Sequence, residues 1–105
     1  MADGPRISHT SAMILQAVAT GHIYGYTVIA VTGLPSGTVY PALRRLESDE
    51  LIRSEWEQQS TADAALPPPR KYYSLTPTGE AALEISRKRY PLLAKLAPIE
   101  EVEDV

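Results

Sequence analysis

The chain of 105 residues contains no cysteine, which excludes a disulfide framework, a thiolate zinc site, an iron–sulfur cluster and a cysteine nucleophile. Long hydrophobic runs are missing too, and none approaches the roughly 20 apolar residues that span a bilayer. The opening MADGPRIS lacks the charged and apolar regions of a signal peptide, so a cytoplasmic protein without a membrane partner is expected. No internal repeat is present. A surplus of positive charge is also lacking: 10 Lys and Arg face 13 Asp and Glu, for a net charge of −3. Such a balance argues against a polyanionic partner, but its distribution weakens the argument. Residues 100–105 hold four of the acids and no base, so residues 1–99 carry +1. The position of each base therefore decides, not the total.

What is present suits one globular domain. The hydrophobic content is 44%, and a chain of this length buries roughly two-thirds of its unfolded surface. From Ser8 to Thr20, Ile14, Leu15 and Val18 fall at helical spacing. Ser8 or Thr10 can cap that segment and Gly21 can stop it, so a helix over about 9–20 is expected. His22 follows the stop glycine and is expected to be exposed. Gly25 to Gly33 mixes helix and strand preferences. A short helix is favoured there because Leu34-Pro35-Ser36 then reads as a turn into the next helix, capped by Ser36. From Ser36 to Glu50, Val39, Leu43, Leu46 and Glu50 form one stripe, with Ala42 beside it. Gly37, Thr38, Pro41, Arg44, Arg45 and Ser48 lie opposite. Pro41 is tolerable only near a helix start, which puts that start close to Gly37 or Thr38.

Leu51 to Gln58 alternates, with Ile52, Ser54 and Trp56 on one face, and reads as a strand. Residues 60–69, STADAALPPP, read as a loop, and Arg70 to Leu75 as a second strand with Tyr73 and Leu75 sharing a face. Trp56 is expected to pack at the base of this hairpin. Thr76-Pro77 announces a last helix, Thr as N-cap and Pro at N1, with Glu80 early in it. Pro91 should kink or restart that helix, and Leu92, Leu93, Leu96 and Ile99 continue at helical spacing to the acidic tail. The fold class is thus mainly α with a small antiparallel hairpin. A two-stranded hairpin is not stable alone, so it leans on the helices, as in a winged helix-turn-helix.

Several segments resemble the PadR family of bacterial transcriptional regulators. They are Gly21-His-Ile-Tyr-Gly-Tyr26, Leu34-Pro-Ser-Gly-Thr-Val-Tyr-Pro-Ala-Leu43, Arg45-Leu-Glu47, Leu51-Ile-Arg-Ser-Glu-Trp-Glu57 and Arg70-Lys-Tyr-Tyr-Ser-Leu-Thr-Pro-Thr-Gly79. The resemblance is collinear over roughly residues 12–83. It implies a dimeric winged-helix DNA binder, usually a repressor, whose C-terminal helix supplies the dimer contact. The family often has a histidine where this chain has Tyr24, and its wing loop is usually shorter and poorer in proline. The expected division is a winged helix-turn-helix over 8–78, a dimerisation helix over 79–99 kinked near Pro91, and an acidic tail over 100–105.

On this reading Ser36, Gly37, Thr38, Tyr40 and Pro41 form the matched recognition segment. Ser36 and Thr38 hydroxyls and free backbone N–H groups suit a phosphate. Arg44 suits guanine O6 and N7, and Arg45 a flanking phosphate. Arg70 and Lys71, at the start of the second wing strand, suit backbone or minor groove. Gly37 is expected to serve close approach or turn geometry. Glu47, Asp49 and Glu50 repel phosphate and confine the footprint to the first two turns. Ile85, Leu92, Leu93, Leu96 and Ile99 are candidates for a homodimer seam. No cofactor is implied, and a small-molecule effector remains open; Tyr90 is the one aromatic that could replace the tryptophan some relatives use to bind flat ligands. His9 and His22 lack acid–base partners at a suggestive spacing, so an enzyme is not expected. The alternative is a winged helix that binds protein and no DNA.

Overall fold

A computed structural model describes residues 7–58 and 69–95. The expected wing loop, Leu96, Ile99 and the acidic tail lie outside the described residues. The order is α1 (His9–Ala19), α2 (Gly25–Thr32), α3 (Ser36–Ser48), β1 (Ile52–Trp56), β2 (Lys71–Leu75), α4 (Pro77–Arg89) and a 3-10 turn over Pro91–Lys95. The fold is mainly helical with a two-stranded antiparallel wing. No helix among the described residues is long and apolar enough to cross a membrane.

The core follows the periodicity of the sequence. Ile14, Leu15 and Val18 of α1 meet Val28 of α2, the α3 stripe Val39, Ala42, Leu43 and Leu46, and Ala82 and Leu83 of α4. Truncating a buried leucine or isoleucine of this core to alanine costs about 2–5 kcal/mol. Ser8 caps α1 by accepting from the Ser11 N–H at 3.1 Å. Gly33 ends α2 with φ of 74°, the left-handed geometry of a helix stop. His22 is not exposed; it is buried, its N–H donating to the Ala17 carbonyl at 3.0 Å as the chain turns back under α1.

The wing is anchored at its base by Thr76. Its hydroxyl accepts from the Gly79 N–H at 2.9 Å, which caps α4, and donates to the Glu50 carbonyl at 2.7 Å. A Cβ at Gly79 would overlap the Leu51 carbonyl oxygen, so the motif Thr-Pro-Thr-Gly is a packing requirement as much as a helix start. The strands pair Ile52 with Leu75, Ser54 with Tyr73 and Trp56 with Lys71. Ile52 and Tyr73 are buried, whereas Trp56 is 64% exposed. The strand runs past the end of the core, so Trp56 sits at the far end of the hairpin and not at its base. Residues before α2 extend the sheet: the Tyr73 N–H donates to the Ile23 carbonyl at 2.9 Å, and Tyr24 bridges Tyr72.

Pro91 ends α4 at Arg89, and the chain continues as the 3-10 turn. Leu93 folds back into the core at 2% exposure, while Ile85 and Leu92 stand 39% and 71% exposed. Leu93 thus differs from its expected place in an exposed seam, because its side chain is already buried within the chain. Tyr90 is also engaged within the chain, edge-on to His9 with its hydroxyl donating to the Ile7 carbonyl at 3.3 Å.

Candidate nucleic-acid interface

The start of α3 differs by one residue from the sequence expectation. Pro35 is the N-cap and Ser36 the first helical residue. Proline has no side-chain acceptor, so no side chain caps this turn. The Thr38 and Val39 N–H groups bond back to the Pro35 carbonyl at 2.9 and 3.0 Å. Ser36 and Gly37 are exposed and Thr38 half-buried. A Cβ at Gly37 would meet nothing within 4 Å, so neither turn geometry nor close packing inside the chain calls for glycine there. Pro41 lies on the exposed side of the helix.

Tyr40 both packs and faces outward. It is 40% exposed, and its ring lies so close to Gly25 that a Cβ there would overlap it. Arg44 and Arg45 are exposed and form no ion pair or side-chain hydrogen bond with the described residues. Glu47 is held on the wing side, its carboxylate accepting from the Ser54 hydroxyl at 2.6 Å and tying α3 to β1. Asp49 ends the helix, and Glu50 follows with φ of 63°. The acidic part of α3 is thereby separated from its exposed first two turns.

A groove of about 370 Å³ separates helix from wing, with Tyr40 and Arg44 on the helix side and Lys71 and Tyr73 on the wing side. Burial, then the nearby Glu47 carboxylate, raises the Tyr73 phenol above its ordinary range. The Lys71 ammonium lies 5.7 Å from the centre of the Trp56 ring. Lys71 and Tyr73, two residues apart on β2, share the wing face that borders this groove.

Arg70 is placed differently from Arg44. Its guanidinium donates to Glu57 from Nε at 3.3 Å and from Nη2 at 3.1 Å, and to the Tyr26 hydroxyl at 2.6 Å. It also lies over the Tyr24 ring, 4.2 Å from the centre. Tyr24 donates to the same carboxylate at 2.5 Å. Hydrogen bonds from Tyr24 and Arg70 hold the Glu57 carboxyl down to about 2, and the bond to Glu57 raises the Tyr24 phenol. The sequence reading missed Tyr26 and Glu57 altogether and noted Tyr24 only as a departure from its family. The one available signal was that two tyrosines flank Gly25 and an acid ends the first strand.

The model of the transcriptional regulator PadR-like family matches residues 14–85. A PadR family transcription regulator from Clostridium difficile R20291 has a similar structure, with 31% identity, a TM-score of 0.67, and coverage of 84% of this chain and 93% of that one. A PadR-like transcription factor from Bacteroides fragilis is similar at 31% identity and a TM-score of 0.63, covering 81% and 82% of the two chains. The transcriptional regulator Rv3488 of Mycobacterium tuberculosis is 42% identical over 59 residues, which span 56% of this chain but only half of that curated relative. A winged helix with this order of elements, matched over most of its length, assigns the chain to the PadR-like family of transcriptional regulators, which are not enzymes.

Proposed function

We propose that the protein binds double-stranded DNA in a sequence-specific manner as a homodimer and acts as a repressor. One observation carries the reading: the first three turns of α3 present an uncapped helix start, an outward-facing Gly37, and arginines without partners among the described residues. Each of these is a local cost or a missed contact inside the chain, and each has a use against DNA. Free N–H groups at a helix start receive phosphate, glycine admits a close backbone approach, and an unpaired arginine pairs with guanine. Ser36, Gly37, Thr38, Tyr40 and Pro41 form the helix surface, Arg44 reads a base, and Arg45 and Lys71 hold flanking phosphates. Arg70 belongs to this surface through the wing it anchors.

Dimerisation runs through the exposed Ile85 and Leu92 together with Leu96 and Ile99. Leu92→Glu leaves the core side chain Leu93 in place and is expected to give monomers on sedimentation. An unchanged dimer would remove Leu92 from the seam.

The test begins with selection of bound genomic fragments and a labelled duplex taken from them. Arg44→Ala should weaken specific binding by about 1–3 kcal/mol and relax the base preference. Equal loss on all sequences would make Arg44 a phosphate contact. Failure of the wild-type chain to retain any fragment at low salt defeats the reading.

A further inference from the structure

The last described residues of the wing carry a cluster that contact with DNA does not explain. Glu57 and Arg70 stand just beyond the last strand pair, Trp56 and Lys71. Their backbones are joined, since the Glu57 N–H donates to the Arg70 carbonyl at 2.8 Å and the Arg70 N–H to Glu57 Oε1 at 3.2 Å. Their side chains then reach outward to α2. The carboxylate accepts from Tyr24, the N-cap of α2, and the guanidinium donates to Tyr26 in its first turn. Between those two tyrosines lies Gly25, against which Tyr40 of α3 packs. A short chain of contacts therefore links the wing end, the start of α2 and the recognition helix.

Three of the five guanidinium N–H donors are engaged by Glu57 and Tyr26, and one face is covered by Tyr24. A phosphate contact from Arg70 is left with the two remaining N–H donors, and the bidentate edge formed by Nε and Nη2 is already taken by Glu57. A two-stranded hairpin, by contrast, needs external support to hold one geometry, and holding the bound geometry in advance lowers the entropy lost on binding.

We infer that Tyr24, Glu57 and Arg70 form a clasp that locks the wing to α2, sets the spacing between Lys71 and Arg44, and acts as a set of positioning residues for DNA binding. The inference rests on the DNA-binding reading above. It carries an unusual sign. Removing the negative charge of Glu57 beside a polyanion should strengthen binding if charge alone mattered; the clasp makes the same change weaken it.

The experiment uses the full chain and a labelled duplex selected by the wild type. Dissociation constants are measured at several salt concentrations for wild type, Glu57→Gln, Tyr24→Phe and Arg70→Gln, alongside amide exchange of each free protein. All three variants should bind several-fold more weakly, with the slope of log Kd against log salt unchanged. Amides at 56–57 and 70–71 should exchange faster while those of α1 keep their protection. Glu57→Gln binding as tightly as wild type or tighter, with unchanged exchange, overturns the clasp. So does a slope for Arg70→Gln that is shallower by about 2 per dimer, since about 0.9 is lost per phosphate contact. Tyr24→Phe removes a single hydroxyl and carries the test if Glu57→Gln fails to fold. Wild type binding no duplex fells the DNA reading; wild type binding while the variants match it fells the clasp alone.

Discussion

Helix α3 and the wing bring arginines to opposite sides of one groove and treat them in opposite ways. Arg44 stands in solvent with no ion pair among the described residues, whereas Arg70 is held by a carboxylate, a phenol and an aromatic face. An unpartnered cation keeps its donors for an incoming acceptor. A partnered one has most of its donors taken and contributes geometry instead. The glycines divide in the same way: Gly79, at the wing base, is required by the Leu51 carbonyl beside it, while Gly37 faces empty space. One region is shaped by contacts within the chain, the other by their absence.

The largest expected effect lies on the contact-rich side. Gly79→Ala forces a methyl group against the Leu51 carbonyl and should lower stability by about 3 kcal/mol, read from thermal or denaturant unfolding. An unchanged midpoint would mean that the wing base yields easily and the contrast is overstated.

A smaller effect of opposite sign is expected at Gly37→Ala. The backbone there is helical and the space is open, so alanine should raise stability by about 0.5–1 kcal/mol. The same change should weaken binding to the selected duplex, because the methyl group occupies the approach to the helix start. Higher stability with unaltered binding would leave Gly37 without a role at the interface.

The smallest effect is a pH dependence confined to the clasp. Glu57 titrates at about 2 in the folded chain, against an ordinary 4.5. Its folded value is depressed, so its contribution is fully present above the unfolded value and is lost as pH falls from about 4.5 towards 2. In Glu57→Gln this part of the acid dependence should vanish from a series of unfolding curves. An unaltered acid limb would assign the loss to other carboxyls.

Much of this contrast could be read from the residues in order, and part could not. The α3 stripe, the Thr76-Pro77 cap and the alternation of both strands are local patterns, and each reappears in the structure. Alternation tells which face a strand residue takes but not where the core ends, which is why Trp56 emerged exposed. The turn before α3 shifted by one residue, because proline serves as N-cap through its extended backbone without any side-chain bond. Arg70 was the harder case. Its partners lie 13 and 44 residues away, and no spacing rule joins a wing arginine to a tyrosine on α2. The same holds for Gly79, whose neighbour Leu51 precedes the other strand of the hairpin in sequence. Local signals located the basic residues, and only the tertiary contacts separated the free from the bound.

The most direct measurement of the central claim is the salt dependence of wild-type binding to its selected duplex. A dimer that uses Arg45, Lys71 and the α3 start makes about three phosphate contacts per protomer, which predicts a log–log slope of about −5. A slope near zero, or no binding to any duplex at low salt, would contradict it.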